Sequence, residues 1–508
     1  MRKLRFLTCI FILLIYYRVS YGQIATSRND EQYRPQVHFS PKEKWINDPN
    51  GMVYYKGIYH LFFQHHPGSS VWGPMHWGHA VSKDLIHWKR ESIKIFPDSL
   101  GTIFSGSAVL DKNNTSGFGK GGEAPLVAIF TQHNEAGEKA GRNDYQNQSL
   151  AYSVDNGNTW TKYTGNPVLK NPGIRDFRDP KVMWYEPTKK WIMTLAVMDR
   201  IYFYSSPDLK NWSKESEFGE SAGAHSGVWE CPDLFSLDYN GKKVWALIVN
   251  LNPGGPNKGS STQYFLGDFN GKVFSPYSTK TKWLDFGPDD YAGVTWSNTG
   301  KRKIFLGWMS NWMYANVVPT ETWRNAMTIP RELRIMKVDT DLLIASTIIK
   351  EIETIKSLSV VKSNISLSRP FEIIAKKENI KLPCLLNLSM ENIKDFSIIL
   401  SNDLGEKLVI GYDKTRNQYF IDRTKSGKTN FQDGFAAKHL APRFTNISKM
   451  GISLLIDASS VELFADDGLT VMTEIFFPNE PYSTIRIESN GDAVIKKLQF
   501  IMLNSIWD

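Results

Sequence analysis

The segments Ser82-Lys83-Asp84-Leu85-Ile86-His87-Trp88 and Ser206-Pro207-Asp208-Leu209-Lys210-Asn211-Trp212 carry Ser, Asp, Leu and Trp at the same four positions. Ser153-Val154-Asp155-Asn156-Gly157-Asn158-Thr159-Trp160 is a looser third copy. Ser and Asp side chains hydrogen-bond backbone groups a few residues away, so the pattern describes a polar hairpin. A hairpin recurring at intervals of tens of residues implies similar small sheets arranged radially, the plan of a β-propeller.

The runs between these turns fit that plan. From about residue 36 to about 335 they are short and β-type, for example Tyr59-His60-Leu61-Phe62-Phe63, Leu126-Val127-Ala128-Ile129-Phe130 and Val244-Trp245-Ala246-Leu247-Ile248-Val249. None carries a sustained helical period, which makes the region all-β. Near Arg331-Glu332-Leu333-Arg334 the character changes. Leu343 to Leu358 is rich in Ile, Leu, Lys and Glu without glycine, as a short helix or linker would be. Later runs such as Phe396-Ser397-Ile398-Ile399-Leu400 and Ser460-Val461-Glu462-Leu463-Phe464 suit a two-sheet β-sandwich. The chain therefore divides into a propeller over residues 23–340, a linker over 341–358 and a sandwich over 359–508.

Residues 1–22 read as a secretory signal peptide, with Met1-Arg2-Lys3-Leu4-Arg5 ahead of an apolar run and Ser20-Tyr21-Gly22 before the cut. The run is too short to span a bilayer, so the expected product is secreted, extracellular and without a membrane anchor. Cys9 leaves with the signal, and Cys231 and Cys384 can form at most one bridge, so stability must come from large cores. Sequons at Asn113, Asn114, Asn147, Asn211, Asn364, Asn387 and Asn446 are candidate glycan sites. The net charge of +8 is scattered over 508 residues. No basic stripe tracks phosphates, and nucleic acid is not an expected partner.

Three acids stand in unusual company. Asp48 lies in Trp45-Ile46-Asn47-Asp48-Pro49-Asn50-Gly51, where two turn signals adjoin and the proline holds Asp48 extended. Asp179 lies in Phe177-Arg178-Asp179-Pro180, and Glu230 in Trp229-Glu230-Cys231-Pro232-Asp233. In a propeller the innermost strand of each blade lines the central channel, so acids from separate blades can converge at its mouth. Glycoside cleavage needs such a set: one carboxylate attacks or guides water while another protonates the leaving oxygen. Trp229 is expected to bury Glu230, and Arg178 to keep Asp179 ionised. Trp45 and Trp72 are expected to exclude water and pack on sugar carbons. The adjacent His65 and His66 point to opposite faces of a strand and have no third partner motif, so neither metal nor cofactor is expected.

On these three motifs the chain resembles glycoside hydrolase family 32, the β-fructofuranosidases. Lesser motifs agree, among them Phe63-Gln64-His65-His66-Pro67, Phe104-Ser105-Gly106-Ser107, Asp290-Tyr291-Ala292, Ile329-Pro330-Arg331-Glu332-Leu333 and Ser459-Ser460-Val461-Glu462-Leu463-Phe464. The resemblance implies five blades followed by a sandwich, and retaining hydrolysis of the terminal fructosyl residue of sucrose or a short fructan. By motif position it makes Asp48 the nucleophile, Glu230 the acid/base and Asp179 the holder of sugar hydroxyls. It places Trp45, Asn47, Gln64, Trp72, Phe104, Ser105, Arg178, Cys231 and Trp308 around the sugar. His65-His66 and Gly293-Val294 depart from the usual pattern, which leaves substrate length and leaving group open. Other readings are a fructan exohydrolase or fructosyltransferase of the same family, a sialidase-like propeller, or a sugar-binding relative without catalysis. A sialidase would need an arginine constellation that the sequence lacks, and a non-catalytic relative would be expected to have lost an acid.

Overall fold

The computed structural model describes residues 29–374 and 382–507, so the expected signal peptide at 1–22 lies outside the described residues. Five sheets follow one another along the first part of the chain. Their opening strands are Lys44–Tyr55, Thr102–Leu110, Phe177–Tyr185, Val228–Tyr239 and Tyr291–Thr295. Each touches the opening strand of the next sheet and the fifth touches the first, closing a ring around a channel. This is a five-bladed β-propeller.

The recurring hairpin occupies one place in three blades. It joins His76–Ser82 to Trp88–Ile95 in the first, Gln146–Ser153 to Thr161–Lys162 in the second, and Arg200–Ser206 to Ser213–Phe218 in the third. In each the serine hydroxyl donates to the aspartate: Ser82 to Asp84 at 3.0 Å, Ser153 to Asp155 at 2.7 Å and Ser206 to Asp208 at 3.1 Å. The aspartate then accepts backbone amides further along, which fixes the turn.

Blades are held together by apolar wedges between neighbours. Val127 and Ile129 of the second blade meet Val182, Met193 and Leu195 of the third, and Phe203 of the third meets Leu247 and Val249 of the fourth. Full burial of such a side chain contributes about 1.5–3 kcal/mol, so the repeated wedges account for a stable ring without disulfides. Cys231 and Cys384 are both free and buried.

One irregularity recurs in all five opening strands. Pairing with the second strand of the blade slips by one residue between Ile46 and Pro49, Ile103 and Gly106, Arg178 and Lys181, Glu230 and Asp233, and Tyr291 and Val294. Each slip is a β-bulge, which re-aims side chains toward the channel. Pro49, Pro180 and Pro232 sit at three of the bulges, where the channel edge of the sheet asks for few ladder donors. Asp179, Cys231 and Ala292 adopt φ of 66°, 41° and 53°, conformations costly for residues with a Cβ and concentrated where the chain bulges. Gly51 closes the first motif at φ 51°, and a Cβ there would lie 2.7 Å from both Phe62 and Trp77.

Behind the propeller two six-stranded sheets form a sandwich, one running from Lys356–Ser366 to Thr470–Ile475 and the other from Phe371–Ile374 to Lys438–Pro442. The segment 341–358, expected as a linker, mostly does not link. Asp341–Ile348 pairs along its length with Arg331–Val338 and completes the fifth blade. Leu343, Ile344 and Ala345 are buried there, so tertiary pairing overrides a composition that reads as helical. Only a short 3₁₀ turn, Lys350–Ile355, precedes the first sandwich strand.

Buried charge joins the two parts. Arg331 of the fifth blade donates to Asp285 and Asp290 at 2.9 Å and to Glu462 of the sandwich at 2.5 Å. Glu462 also meets His38 Nε2 at 2.8 Å, and His38 Nδ1 meets Asp457 at 2.7 Å. All these side chains are fully buried, so each charge depends on its partner. Gly307 leaves room for Asp290, whose Oδ1 would lie 1.8 Å from a Cβ at that position.

Candidate active site

The bulges bring the sequence-predicted acids to one end of the channel. Asp48 comes from the first blade, Asp179 from the third and Glu230 from the fourth. Ser105 of the second blade and Tyr291 of the fifth complete the ring, so every blade supplies at least one polar group.

Asp48 is held by donors on both oxygens. Asn47 Nδ2 donates to Oδ1 at 2.8 Å, and Ser105 Oγ donates to Oδ2 at 2.5 Å. The Cys231 thiol lies 3.4 Å from the same Oδ2 and 3.6 Å from Asp179 Oδ2. Asn47 is itself oriented by the Trp45 indole, which donates to its Oδ1 at 2.7 Å. Burial pushes the Asp48 carboxyl above its usual range, the Ser105 and Asn47 donors pull it back, and Glu230 adds repulsion.

Glu230 is gripped between blades. Arg178 Nη2 donates to its Oε1 at 3.0 Å, and the Tyr291 hydroxyl donates to its Oε2. Trp229 does not bury it. Successive residues on a strand face opposite sides, and the Trp229 indole packs in the wedge with Phe218 and Phe265, leaving Glu230 20% exposed.

The expectation for Asp179 also changes. Arg178 is 4.0 Å from it but 2.6 Å from Asp176 and 3.0 Å from Glu230, so the guanidinium mainly serves those two. Asp179 is 5% exposed and keeps the amide of Cys231 at 3.0 Å as its close donor. Burial, only partly offset by Arg178 and reinforced by Glu230 and Asp48, pushes it up to about 7. Burial likewise raises the Cys231 thiol, together with the surrounding carboxylates, which leaves it an uncharged spacer.

The remaining expected residues divide between lining and support. Trp72 is 42% exposed at the rim, 6.3 Å from Phe104, with its backbone held by Asn316. Phe104 is partly buried and stacks on His133 at 4.2 Å. Gln64 is buried and donates to Asn50 Oδ1 at 2.8 Å. Trp45 and Trp308 are fully buried, 6.0 Å apart, with Trp312 against both. They carry the floor of the site, and the expectation that Trp45 packs on a sugar is not what its burial allows. His65 and His66 diverge as alternation requires, bonding to the Trp45 and Val71 carbonyls.

Two contributors were not singled out from sequence. Tyr291 stood inside the Asp290-Tyr291-Ala292 motif without a role, and Asp176 lies two residues before Arg178. The five-residue helix Glu135–Lys139 was also missed, and His133 beside it bonds to Glu138.

A five-bladed propeller backed by a sandwich, with three carboxylates from separate blades at its mouth, belongs to the class of glycoside hydrolases. The family description for glycosyl hydrolases family 32 matches the chain twice, the N-terminal domain over residues 38–346 and the C-terminal domain over residues 345–501. The chain is 45% identical to a levanase of Bacillus subtilis over 98% of its own length and 74% of the relative's. It is 37% identical to an extracellular exo-inulinase of Aspergillus awamori, covering 91% and 93%. The crystal structure of exo-inulinase from the latter organism superposes with a TM-score of 0.86 at 34% identity, covering 94% of this chain and all of that one. A β-fructofuranosidase of Schwanniomyces occidentalis, complexed with fructosyl-erythritol, superposes at 0.85 with 30% identity, covering 94% and 99%. The protein is a member of glycosyl hydrolases family 32.

Proposed function

We propose that this protein is a secreted, retaining β-fructofuranosidase that removes the terminal fructosyl residue from sucrose and related β-fructofuranosides. The observation that carries the reading is the contrast among the three acids. Asp48 and Glu230 are partly open to the channel mouth, whereas Asp179 is buried beside them. Two reachable carboxylates with a third beside them suit a double displacement with one auxiliary acid.

In this reading Asp48 attacks the ketose carbon while Glu230 protonates the departing oxygen. A fructosyl ester on Asp48 results, and Glu230 then takes a proton from water as that water attacks. Asn47 and Ser105 fix the nucleophile's oxygens, so no reorientation is needed during attack. Arg178 and the Tyr291 hydroxyl hold Glu230 in line with the leaving group. Asp179 faces the sugar from the side and accepts its hydroxyls, and Trp72 with Phe104 forms an apolar rim for the leaving part. The proposed export rests on the sequence of residues 1–22 and on the extracellular exo-inulinases among the relatives. Among the described residues no helix is long and apolar enough to cross a membrane.

A second reading, exo-acting cleavage of longer fructans, is favoured by relatives named levanase and exo-inulinase. Product analysis with sucrose, raffinose, inulin and levan side by side tests both. Free fructose from sucrose without added metal is the expected result. Intact sucrose alongside digested levan or inulin would select the second reading, and no fructose from any of the four would overturn both.

A further inference from the structure

The opening strands run from the three acids to the opposite end of the channel, and there a second cavity of about 650 Å³ opens. Its floor is the ion pair of Lys181 with Asp233 at 3.3 Å, which also separates it from the acids. Asp233 is occupied from the other side by the amide and hydroxyl of Thr295, at 2.6 and 2.7 Å. Two further lysines, Lys243 and Lys303, line the wall beside Trp184 and Trp245. Neither makes an ion pair with any described carboxylate, and the Lys243 ammonium stands 5.7 Å from the Trp245 ring.

The other charges at the cavity do not neutralise these two. Lys189 and Glu186 pair with each other at the exposed edge. Asp111 is buried and turned to the amides and hydroxyls of Thr115 and Ser116. Lys112 is exposed and adds positive charge. Lys303 is half-buried, and burial lowers its affinity for a proton, with Asp233 attracting it and Lys181 and Lys243 repelling it. Asp233, the carboxylate that attracts it, is already paired with Lys181, so the cluster keeps an excess of positive charge.

We propose that this cavity is a second ligand site, separate from the acid cluster, for a small organic phosphate or carboxylate. The anionic group lies between Lys243 and Lys303, and the body of the molecule rests against Trp184 and Trp245. A bare ion would leave most of the cavity empty, and a monosaccharide bearing one phosphate fits within it with room to spare. The partial burial of Lys303 and the indole rings at the same cavity reduce the screening of its charge, which strengthens its attraction for such an anion.

Isothermal titration of the full chain with glucose 6-phosphate and with inorganic phosphate, at low salt, tests the assignment. Saturable binding of the sugar phosphate is expected, with the inorganic ion weaker at the same site. Lys243→Glu should weaken it about tenfold or more, since an attractive charge becomes a repulsive one. Lys243 is exposed, so this variant should fold, and its thermal midpoint checks that it does. Lys303→Met should act in the same direction. Saturating fructose should leave binding unchanged. Absence of saturable binding, full affinity in the Lys243→Glu variant, or displacement by fructose would each overturn the proposal.

Discussion

Arg178 of the third blade holds Glu230 of the fourth, with Nη2 3.0 Å and Nε 3.3 Å from Oε1. The same guanidinium ties down Asp176 at 2.6 Å, so one partly buried cation orders two carboxylates and leaves Asp179 4.0 Å away. Tyr291 supplies the donor on the other Glu230 oxygen. Glu230 is thus positioned by residues on two other blades, and the consequences can be measured.

Replacing Tyr291 by Phe removes a donor from Glu230 without opening a cavity. Turnover of sucrose should fall about 10²-fold, the order found for losing one preorganised donor in an active site. The thermal midpoint should move little. Near-normal turnover in a folded variant would show that the contact does not orient Glu230 for proton transfer.

Asp179 titrates in the folded protein at about 7, above its unfolded value near 4. Its contribution to stability is therefore full below about pH 4 and is lost as pH rises through 7. Asp179→Asn, which keeps an acceptor for the Cys231 amide, should raise stability at pH 8 by roughly 1–3 kcal/mol and change it less at pH 4. Turnover should fall by orders of magnitude. Thermal melts of parent and variant at pH 4, 6 and 8 decide the matter, and a variant that loses more stability as pH rises would contradict it.

His38 gives a second pH experiment, at the interface. Burial alone would push it down, but hydrogen bonds to Asp457 and Glu462 carry it up to about 9. Its stabilising contribution is complete below about pH 6.5 and is lost as pH climbs through 9. His38→Gln should therefore destabilise the protein most at pH 6 and much less at pH 10. Equal losses in melts at the two pH values would mean that His38 acts through shape and not charge.

Arg331 is the centre of the same network. Arg331→Met leaves Asp285 and Asp290 buried without their cation and Glu462 with His38 alone, and should cost about 3–5 kcal/mol. Denaturant unfolding measures it. A loss below about 1 kcal/mol would show that the three acids take up protons and relax at little cost.

Much of this site could be read in the sequence because its residues double as turn chemistry. Asp48 and Asp179 precede prolines, and Glu230 stands next to a Cys-Pro pair. The repeated Ser-x-Asp hairpin showed the radial plan for the same reason, being a local hydrogen-bond pattern written in a few residues. What stayed hidden depends on pairing between distant strands. Register slips are properties of two strands at once, so no single stretch announces the five bulges. Which face of a strand Trp45, Trp229 or Trp308 presents follows from those slips, and all three indoles lie in packing, not against the channel. The closing strand Asp341–Ile348 was hidden likewise, since Arg331–Val338, its partner, makes it a strand.

The central claim is that Asp48 becomes bonded to the sugar. In the Glu230→Gln variant, β-fructofuranosyl fluoride should still react at Asp48, because fluoride departs without protonation, while release by water is slowed for want of a base. Rapid quenching, proteolysis and peptide mass analysis should then find one fructosyl unit on the peptide containing Asp48. A fructosyl unit on a different carboxylate, or fluoride release at an undiminished rate from the Asp48→Asn, Glu230→Gln double variant with no adduct at all, would contradict the account.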